Sequence, residues 1–144
     1  MSFRAFKAYI SAVGITATVV THETQSSDYE SGIAGIGEEL WHIRTARTTP
    51  TKPGAFVAFW TRGADGVTMP FAADNVSAGL LVFVEQLDRR GVFRFTAAHL
   101  AELGVTSEVR PGKRGFRVYP SWCTQLNATA LATQRAQASA FQEF

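Results

Sequence analysis

The stretch LLVFVEQLDRRGVFRFT, residues 80–96, decides the fold. Its first five residues are all apolar, and an uninterrupted run of this kind is typical of a strand that is buried on both faces. Residues 88–91 predict a turn, after which Phe93 and Phe95 alternate with Arg94 as in a half-buried strand. Thr96 then stands at the N-cap position of a short helix over 97–103. These residues predict a sheet with a helix after its central hairpin.

On the N-terminal side, apolar residues recur at helical spacing and predict a helix over residues 2–13, which Gly14 ends. Three glycines within 32–37 predict a loop, and an extended segment follows over 40–49. Pro53 and Gly54 form a favoured turn pair, so we expect a hairpin whose second arm begins near residue 55.

On the C-terminal side, residues 115–119 predict a last strand, and the Ala- and Gln-rich tail over 127–141 predicts a helix. Alternation along the strand places Arg114, Phe116 and Val118 on one face and Arg117 and Tyr119 on the other. The order of elements predicts an α/β or α+β fold with a sheet of about five strands.

The composition is typical of a soluble globular protein: 144 residues, 46% hydrophobic and 18% charged. We expect one domain over residues 1–144. Cys123 is the one cysteine, so no internal disulfide is possible, and no apolar run is long enough to span a membrane. We therefore predict a cytoplasmic protein without a membrane span.

Motifs for cofactors and metals are absent from the sequence. The three histidines share no ligand-like spacing, and the glycines at 32–37 are followed neither by a P-loop lysine nor by a helix. The sequence predicts no bound metal and no nucleotide cofactor.

The bases are segregated from the acids, although the net charge is only +2. Two windows contain no acidic residue: one between Glu39 and Asp65, with four bases, and one between Glu108 and Glu143, with five. Both windows also contain aromatic, proline and glycine residues. Basic side chains beside flexible backbone and hydroxyl donors are typical of phosphate binding. We therefore predict a site for a polyanion, namely nucleic acid.

The candidate binding residues are bases, hydroxyls and two aromatic side chains that could stack on a base. They are Arg44, Arg47, Thr49, Thr51, Lys52, Trp60, Lys113, Arg114, Arg117 and Tyr119. The alternative is that the arginines are simply solvated on exposed strands or paired with a nearby Glu. Phe56, Phe59, Phe93 and Phe116 are interpreted as core residues rather than stacking platforms.

A second hypothesis is a divergent metal-dependent nuclease. Glu30 and Asp74 would be its carboxylates and Lys52 would lie near the scissile phosphate, so that Mg²⁺ would be required only in this case. The competing interpretation makes both acids ordinary surface or capping residues.

Four motifs in consistent order make the chain resemble the MepB family over roughly residues 15–141. The motifs are DYES at 28–31, RTARTTPTKPGAFVAFWTR at 44–62, MPFAADN around 70–75 and GKRGFRVYPSW at 112–122. The resemblance implies a fold related to restriction endonucleases, in which a mixed sheet flanked by helices grips nucleic acid.

The chain departs from that pattern in two places. Nucleases of this fold carry an acid-x-Lys element on a strand, whereas Glu85 is followed by Gln86 and Leu87. Where the family's last helix usually has Trp, this chain has Ala136. We therefore expect nucleic-acid binding without robust catalysis. The family takes its name from a member encoded beside a multidrug efflux pump, so a third hypothesis is a ligand-binding or interaction module associated with efflux.

Overall fold

The computed structural model describes residues 3–23 and 29–144. Its helices are α1 (Arg4–Val13), α2 (Ala97–Glu102) and α3 (Ala128–Gln137), and a 3-10 turn, Ala138–Ala140, follows α3. The strands are β1 (Ala17–His22), β2 (Gly32–Ile36), β3 (Glu39–Thr45), β4 (Arg47–Thr49), β5 (Lys52–Ala58), β6 (Thr61–Arg62), β7 (Thr68–Met69), β8 (Gly79–Gln86), β9 (Arg89–Thr96), β10 (Gly115–Val118) and β11 (Phe141–Glu143).

The main sheet has six strands in the order β1-β2-β3-β8-β9-β11. Strands β3 and β8 pair in parallel, with Ile43 opposite Leu81, and the other neighbours are antiparallel. The sheet is therefore mixed, as the family resemblance implies, and with the few helices it makes the fold α+β.

Two smaller sheets accompany the main sheet. One has three strands in the order β10-β5-β4, all antiparallel, and the other is the short hairpin of β6 and β7. The three-stranded sheet joins the two basic windows, because β4 and β5 come from the first and β10 comes from the second.

The core lies on both sides of the main sheet. On one side, Phe6 and Tyr9 of α1 pack in a cluster with Leu81 and Phe83. On the other side, Leu80 and Val82 belong to a larger cluster with these residues of the small sheet: Ala55, Val57, Phe116 and Val118. Alternate residues of β8 thus enter two clusters, which confirms the prediction of a strand buried on both faces. The inner face of the three-stranded sheet therefore packs in the core, and its outer face points away from the core.

The helix ends follow the expected chemistry. Gly14 ends α1 in the left-handed conformation, with φ of 71°, and its N–H donates to Ile10 O. Thr96 caps α2, because its hydroxyl accepts from His99 N at 3.1 Å. Both predictions are confirmed. No helix within residues 3–23 and 29–144 has the length and apolarity needed to cross a membrane.

Several predicted boundaries are wrong. The glycine-rich segment 32–37 contains strand β2 rather than a loop. One of its glycines serves close packing, since the ring of Phe3 lies only 2.7 Å from the place where a Cβ of Gly32 would be. The hairpin turn lies at residues 50–51, and Pro53 and Gly54 lie inside β5. The C-terminal helix ends at Gln137, since the chain then extends as β11 along β9. Strand β1 was not predicted from the sequence.

Candidate functional site

The outer face of the three-stranded sheet brings the two basic windows together. Phe56 in the central strand β5 is opposite Arg47 of β4 on one side and opposite Arg117 of β10 on the other. Residues directly opposite one another across a ladder project to the same face. Arg47, Phe56 and Arg117 therefore form one row across the sheet, which we call the cationic row.

The alternation of the strands turns this row outward. Ala55 and Val57 flank Phe56 in sequence and are completely buried, and Phe116 and Val118 flank Arg117 and are buried as well. Because successive side chains alternate between faces, Phe56 and Arg117 must lie on the opposite side. The predicted alternation over 115–119 is confirmed by this burial pattern.

The prediction of a core position is wrong for Phe56. It is half-buried on the outer face, whereas Phe59, Phe93 and Phe116 are core residues as predicted. Alternation along the strand from Ala55 and Val57 assigns Phe56 to the outer face, whereas its apolar character alone favours the core. Its position between two arginines makes it part of the site.

The guanidinium of Arg117 is held in a fixed orientation. Its Nη2 donates to Thr49 Oγ1 at 2.8 Å and to Pro53 O at 3.0 Å, and its Nε donates to Pro53 O at 3.3 Å. The side chain thus crosses β5 to reach the β4–β5 hairpin. Within the described parts of the chain, Nη1 has no hydrogen-bond partner. A preoriented guanidinium with donors remaining is suited to a phosphate oxygen.

Two glycines let aromatic rings lie close to the sheet backbone. Gly54 has φ of 74°, and a Cβ there would lie 2.5 Å from Val118 O and 2.8 Å from the ring of Tyr119. A Cβ at Gly115 would overlap the ring of Phe56. Any larger residue at Gly54 would therefore displace the ring of Tyr119, and any larger residue at Gly115 would displace the ring of Phe56.

A cleft of about 400 Å³ adjoins the row on the β10 side. Lys113, Arg117 and Tyr119 line it, so it extends the outer face beyond the edge of the sheet. Its other walls come from the end of α2, from β10 and from α3: Glu102, Leu103, Val105, Phe116, Ala132, Thr133, Ala136 and Gln137. Ala136, where the family resemblance leads us to expect Trp, thus forms part of a wall.

The side chain of Gln137 holds β10 in place at this cleft. It is buried, its Nε2 donates to Arg117 O at 2.8 Å, and its Oε1 accepts from Tyr119 N at 3.0 Å. These two bonds pair the free edge of β10 as a neighbouring strand would. Arg117 and Tyr119 are therefore positioned by α3 as well as by β5.

Arg44 does not belong to this surface, which corrects its prediction as a phosphate contact. Its side chain is 0% exposed, and its Nη1 donates to Glu23 Oε1 at 2.6 Å and to Ile43 O at 2.8 Å. Its guanidinium also lies 5.1 Å from the centre of the Phe59 ring. Alternation in β3 turns it toward the core, where Glu23 balances its charge.

The buried Arg44 forms a triad with Glu23 and His42. His42 Nδ1 lies 3.0 Å from Glu23 Oε1. Burial by itself raises the pKa of the Glu23 carboxyl, but hydrogen bonds from His42 and Arg44 outweigh it and leave that pKa below its usual value. Burial lowers the pKa of the Arg44 guanidinium, and Glu23 offsets part of this effect. The triad is a structural element of the core.

The remaining predicted contacts lie near the ends of the strands of the small sheet. Thr51 and Lys52 are exposed at the β4–β5 turn, and Lys113 and Arg114 are exposed just before β10. Arg114 Nη1 donates weakly to Thr68 Oγ1 at 3.5 Å. Trp60 is half-buried two residues after β5, with the Arg62 guanidinium 5.1 Å from its ring.

These cations are not neutralised by nearby acids in the described structure. The ion pairs found among residues 3–23 and 29–144 involve Glu23 and Glu143, and none includes Lys52, Lys113, Arg114 or Arg117. Arg47 has a further interaction of its own. The outer face therefore carries positive charge that a polyanion can balance.

The carboxylates proposed for a nuclease do not form a cluster. Glu30 accepts from Thr45 Oγ1 at 3.1 Å, at the carboxyl end of β3, and from Arg4 N at 3.2 Å. Asp74 lies in the loop that reaches the other end of β3, where Ala78 N donates to Leu40 O. Among the residues that the structure describes, no three His, Cys, Asp or Glu side chains are grouped so as to hold a metal ion.

Glu30 instead borders a second cleft, of about 630 Å³, between α1 and the end of the β8–β9 hairpin. Glu85, Asp88, Arg4 and Arg90 also line it, so its charges are mixed. Asp28, the first residue of the DYES motif, lies outside the described residues.

Comparisons with known proteins agree on one family. The family model for MepB-like proteins matches residues 23–143. The crystal structure of MepB is similar with a TM-score of 0.87 and 33% identity, over 99% of this chain and 97% of that chain. No curated protein matches the sequence. The chain belongs to the MepB-like family.

Proposed function

We propose that this MepB-like protein binds nucleic acid through the outer face of the β4–β5–β10 sheet, without robust catalysis. The observation that carries the proposal is the cationic row, because it joins Arg47 and Arg117 from two windows that are far apart in sequence. A surface with cations, hydroxyls and no balancing ion pair for most of its bases favours a polyanion.

Within this proposal, we give each predicted residue a role. Arg47, Lys52, Lys113 and Arg117 bind phosphates, with Arg117 preoriented by Thr49. Thr51 and Arg114 lie at the border of the same surface and add donors there. Trp60 and Tyr119 provide ring surface beside the phosphates. Arg44 supports the fold and takes no part in binding.

The proposal also includes the fold relationship and the setting. The six-stranded mixed sheet, with α1 on one face, is compatible with a fold related to restriction endonucleases. We place the activity in the cytoplasm and in a single domain. The described residues supply no carboxylate cluster for a metal, so we assign no hydrolytic step to the protein.

Salt-dependent binding tests the proposal. Fluorescence anisotropy with labelled DNA and RNA, single-stranded and duplex, should give a linear fall of log K with log salt concentration. Four phosphate contacts predict a slope of about −3. A slope near zero, or failure of every oligonucleotide to bind at low salt, would overturn the proposal. Cleavage of the same oligonucleotides with added Mg²⁺ would contradict the absence of catalysis.

A further inference from the structure

We infer that the ligand of the outer face is single-stranded nucleic acid, whose unpaired bases stack on Phe56 and Tyr119. This inference rests on the proposed function and narrows it to one form of nucleic acid. Duplex nucleic acid presents mainly its phosphates at such a surface, whereas a single strand also offers the faces of its bases.

The spacing of the cationic row suits a strand whose bases turn inward. Neighbouring strands lie about 4.8 Å apart, so the backbones of Arg47 and Arg117 are separated by about 10 Å with Phe56 between them. The guanidinium of Arg117 crosses β5 to Thr49 and Pro53, so Arg47 and Arg117 can bind the phosphates of a nucleotide whose base stacks on Phe56. Phosphate binding alone does not explain why an aromatic ring lies in the cationic row.

The positions of the rings support stacking rather than core packing. Phe56 and Tyr119 are each only partly buried, and both lie over glycines, at Gly115 and Gly54. Glycine backbone therefore lies beneath part of each ring. Each ring keeps accessible surface on a sheet whose other outward residues are polar, cationic or small.

The cleft beside β10 indicates the direction in which the nucleic-acid strand leaves the sheet. Arg117 and Tyr119 belong both to the outer face and to the lining of this 400 Å³ cleft, and Lys113 stands at the same opening. A volume of this size is in the range of small-molecule sites. A nucleotide that leaves the sheet past Tyr119 can thus enter the cleft while Lys113 binds its phosphate.

Matched oligonucleotides test this inference at a single salt concentration. We expect a single strand to bind at least tenfold more tightly than the duplex of the same sequence. A single strand with abasic positions keeps every phosphate but lacks bases, so its affinity should fall roughly 5- to 100-fold. This comparison uses the wild-type protein and needs no variant.

The variant Phe56→Leu removes the ring but keeps apolar contact with Gly115. Its affinity for the single strand should fall roughly 5- to 100-fold, and its affinity for the duplex should fall by a smaller factor. Phe56→Trp should restore single-strand binding. Circular dichroism melting verifies that both variants are folded.

The outcomes separate this inference from the function beneath it. If no oligonucleotide binds, the proposed function fails. If duplex and single strand bind equally, or if the abasic strand binds as well as the normal one, the stacking inference is overturned and polyanion binding remains. An equal loss of duplex and single-strand affinity in Phe56→Leu would also overturn it.

Discussion

Arg44 Nη1 donates a hydrogen bond to Glu23 Oε1 over 2.6 Å, and the arginine is completely buried. Arg47, three residues later, is exposed on the outer face of the small sheet. The break at Ala46 between β3 and β4 separates these two arginines into different sheets. One base of the same motif therefore stabilises the core, while the other lies on the exposed face of the small sheet.

Glu23→Gln should destabilise the protein by about 3–5 kcal/mol at neutral pH, because it leaves the Arg44 charge buried without its partner. Since the pKa of Glu23 is lowered on folding, the stabilisation from its carboxylate is present above its unfolded pKa and is lost as the pH falls through its folded pKa. Urea unfolding across pH should show the wild-type and variant stabilities converging in acid. The exposed Glu38→Gln is the control, and a constant difference at all pH values would contradict the assignment.

Arg117→Gln should weaken nucleic-acid binding and reduce the slope of log K against log salt by about 1, because one phosphate contact is lost. The matched control is Arg90→Gln, at an exposed residue on the cleft beside α1, on the other side of the main sheet. Anisotropy titrations at several salt concentrations provide both slopes. Equal effects of the two substitutions would show that net charge, rather than the cationic row, determines binding.

Gly54→Ala should destabilise the protein by roughly 2–4 kcal/mol, because the new Cβ meets Val118 O and the Tyr119 ring in addition to the strain of a positive φ. Gly66 also has positive φ, at 80°, but has open space around its Cβ position, so Gly66→Ala should cost only about 1 kcal/mol. Denaturant unfolding measures both. Similar losses for the two variants would contradict the close packing of Tyr119 on β5.

Gln137→Leu should cost about 2–4 kcal/mol, because Arg117 O and Tyr119 N lose their buried partner. The exposed Gln142→Leu is the control and should change stability little. Hydrogen exchange of the Tyr119 amide, followed by NMR, gives an independent readout. Unchanged protection of this amide in the Gln137 variant would show that another group holds the edge of β10.

The central part of the fold was predictable because its signals are local. The apolar run at 80–84 is typical of a strand buried on both faces, and Thr96 had both the residue type and the position of a cap. Strand β2 was not predictable in the same way. Its glycines resemble those of a loop, and their need for close contact with Phe3 becomes visible only in three dimensions.

The site was predictable as a set of bases but not as a surface. Lys113 and Arg117 were recognised from charge, yet the register that places Arg117 across from Phe56 depends on pairing between distant strands. Phe56 was assigned to the core because its apolar character was weighted above its place in the alternation. Arg44 was assigned to the surface because its buried partner, Glu23, lies far away in sequence.

The pairing of Gln137 with β10 also bears on self-association. Unpaired strand edges invite addition of a strand from another molecule, and a covered edge resists this route to aggregation. With one border of the small sheet occupied by an amide side chain, edge-to-edge growth is blocked on the side of the cleft. The cleft beyond this border stays open, so a ligand can pass an edge where another strand cannot pair.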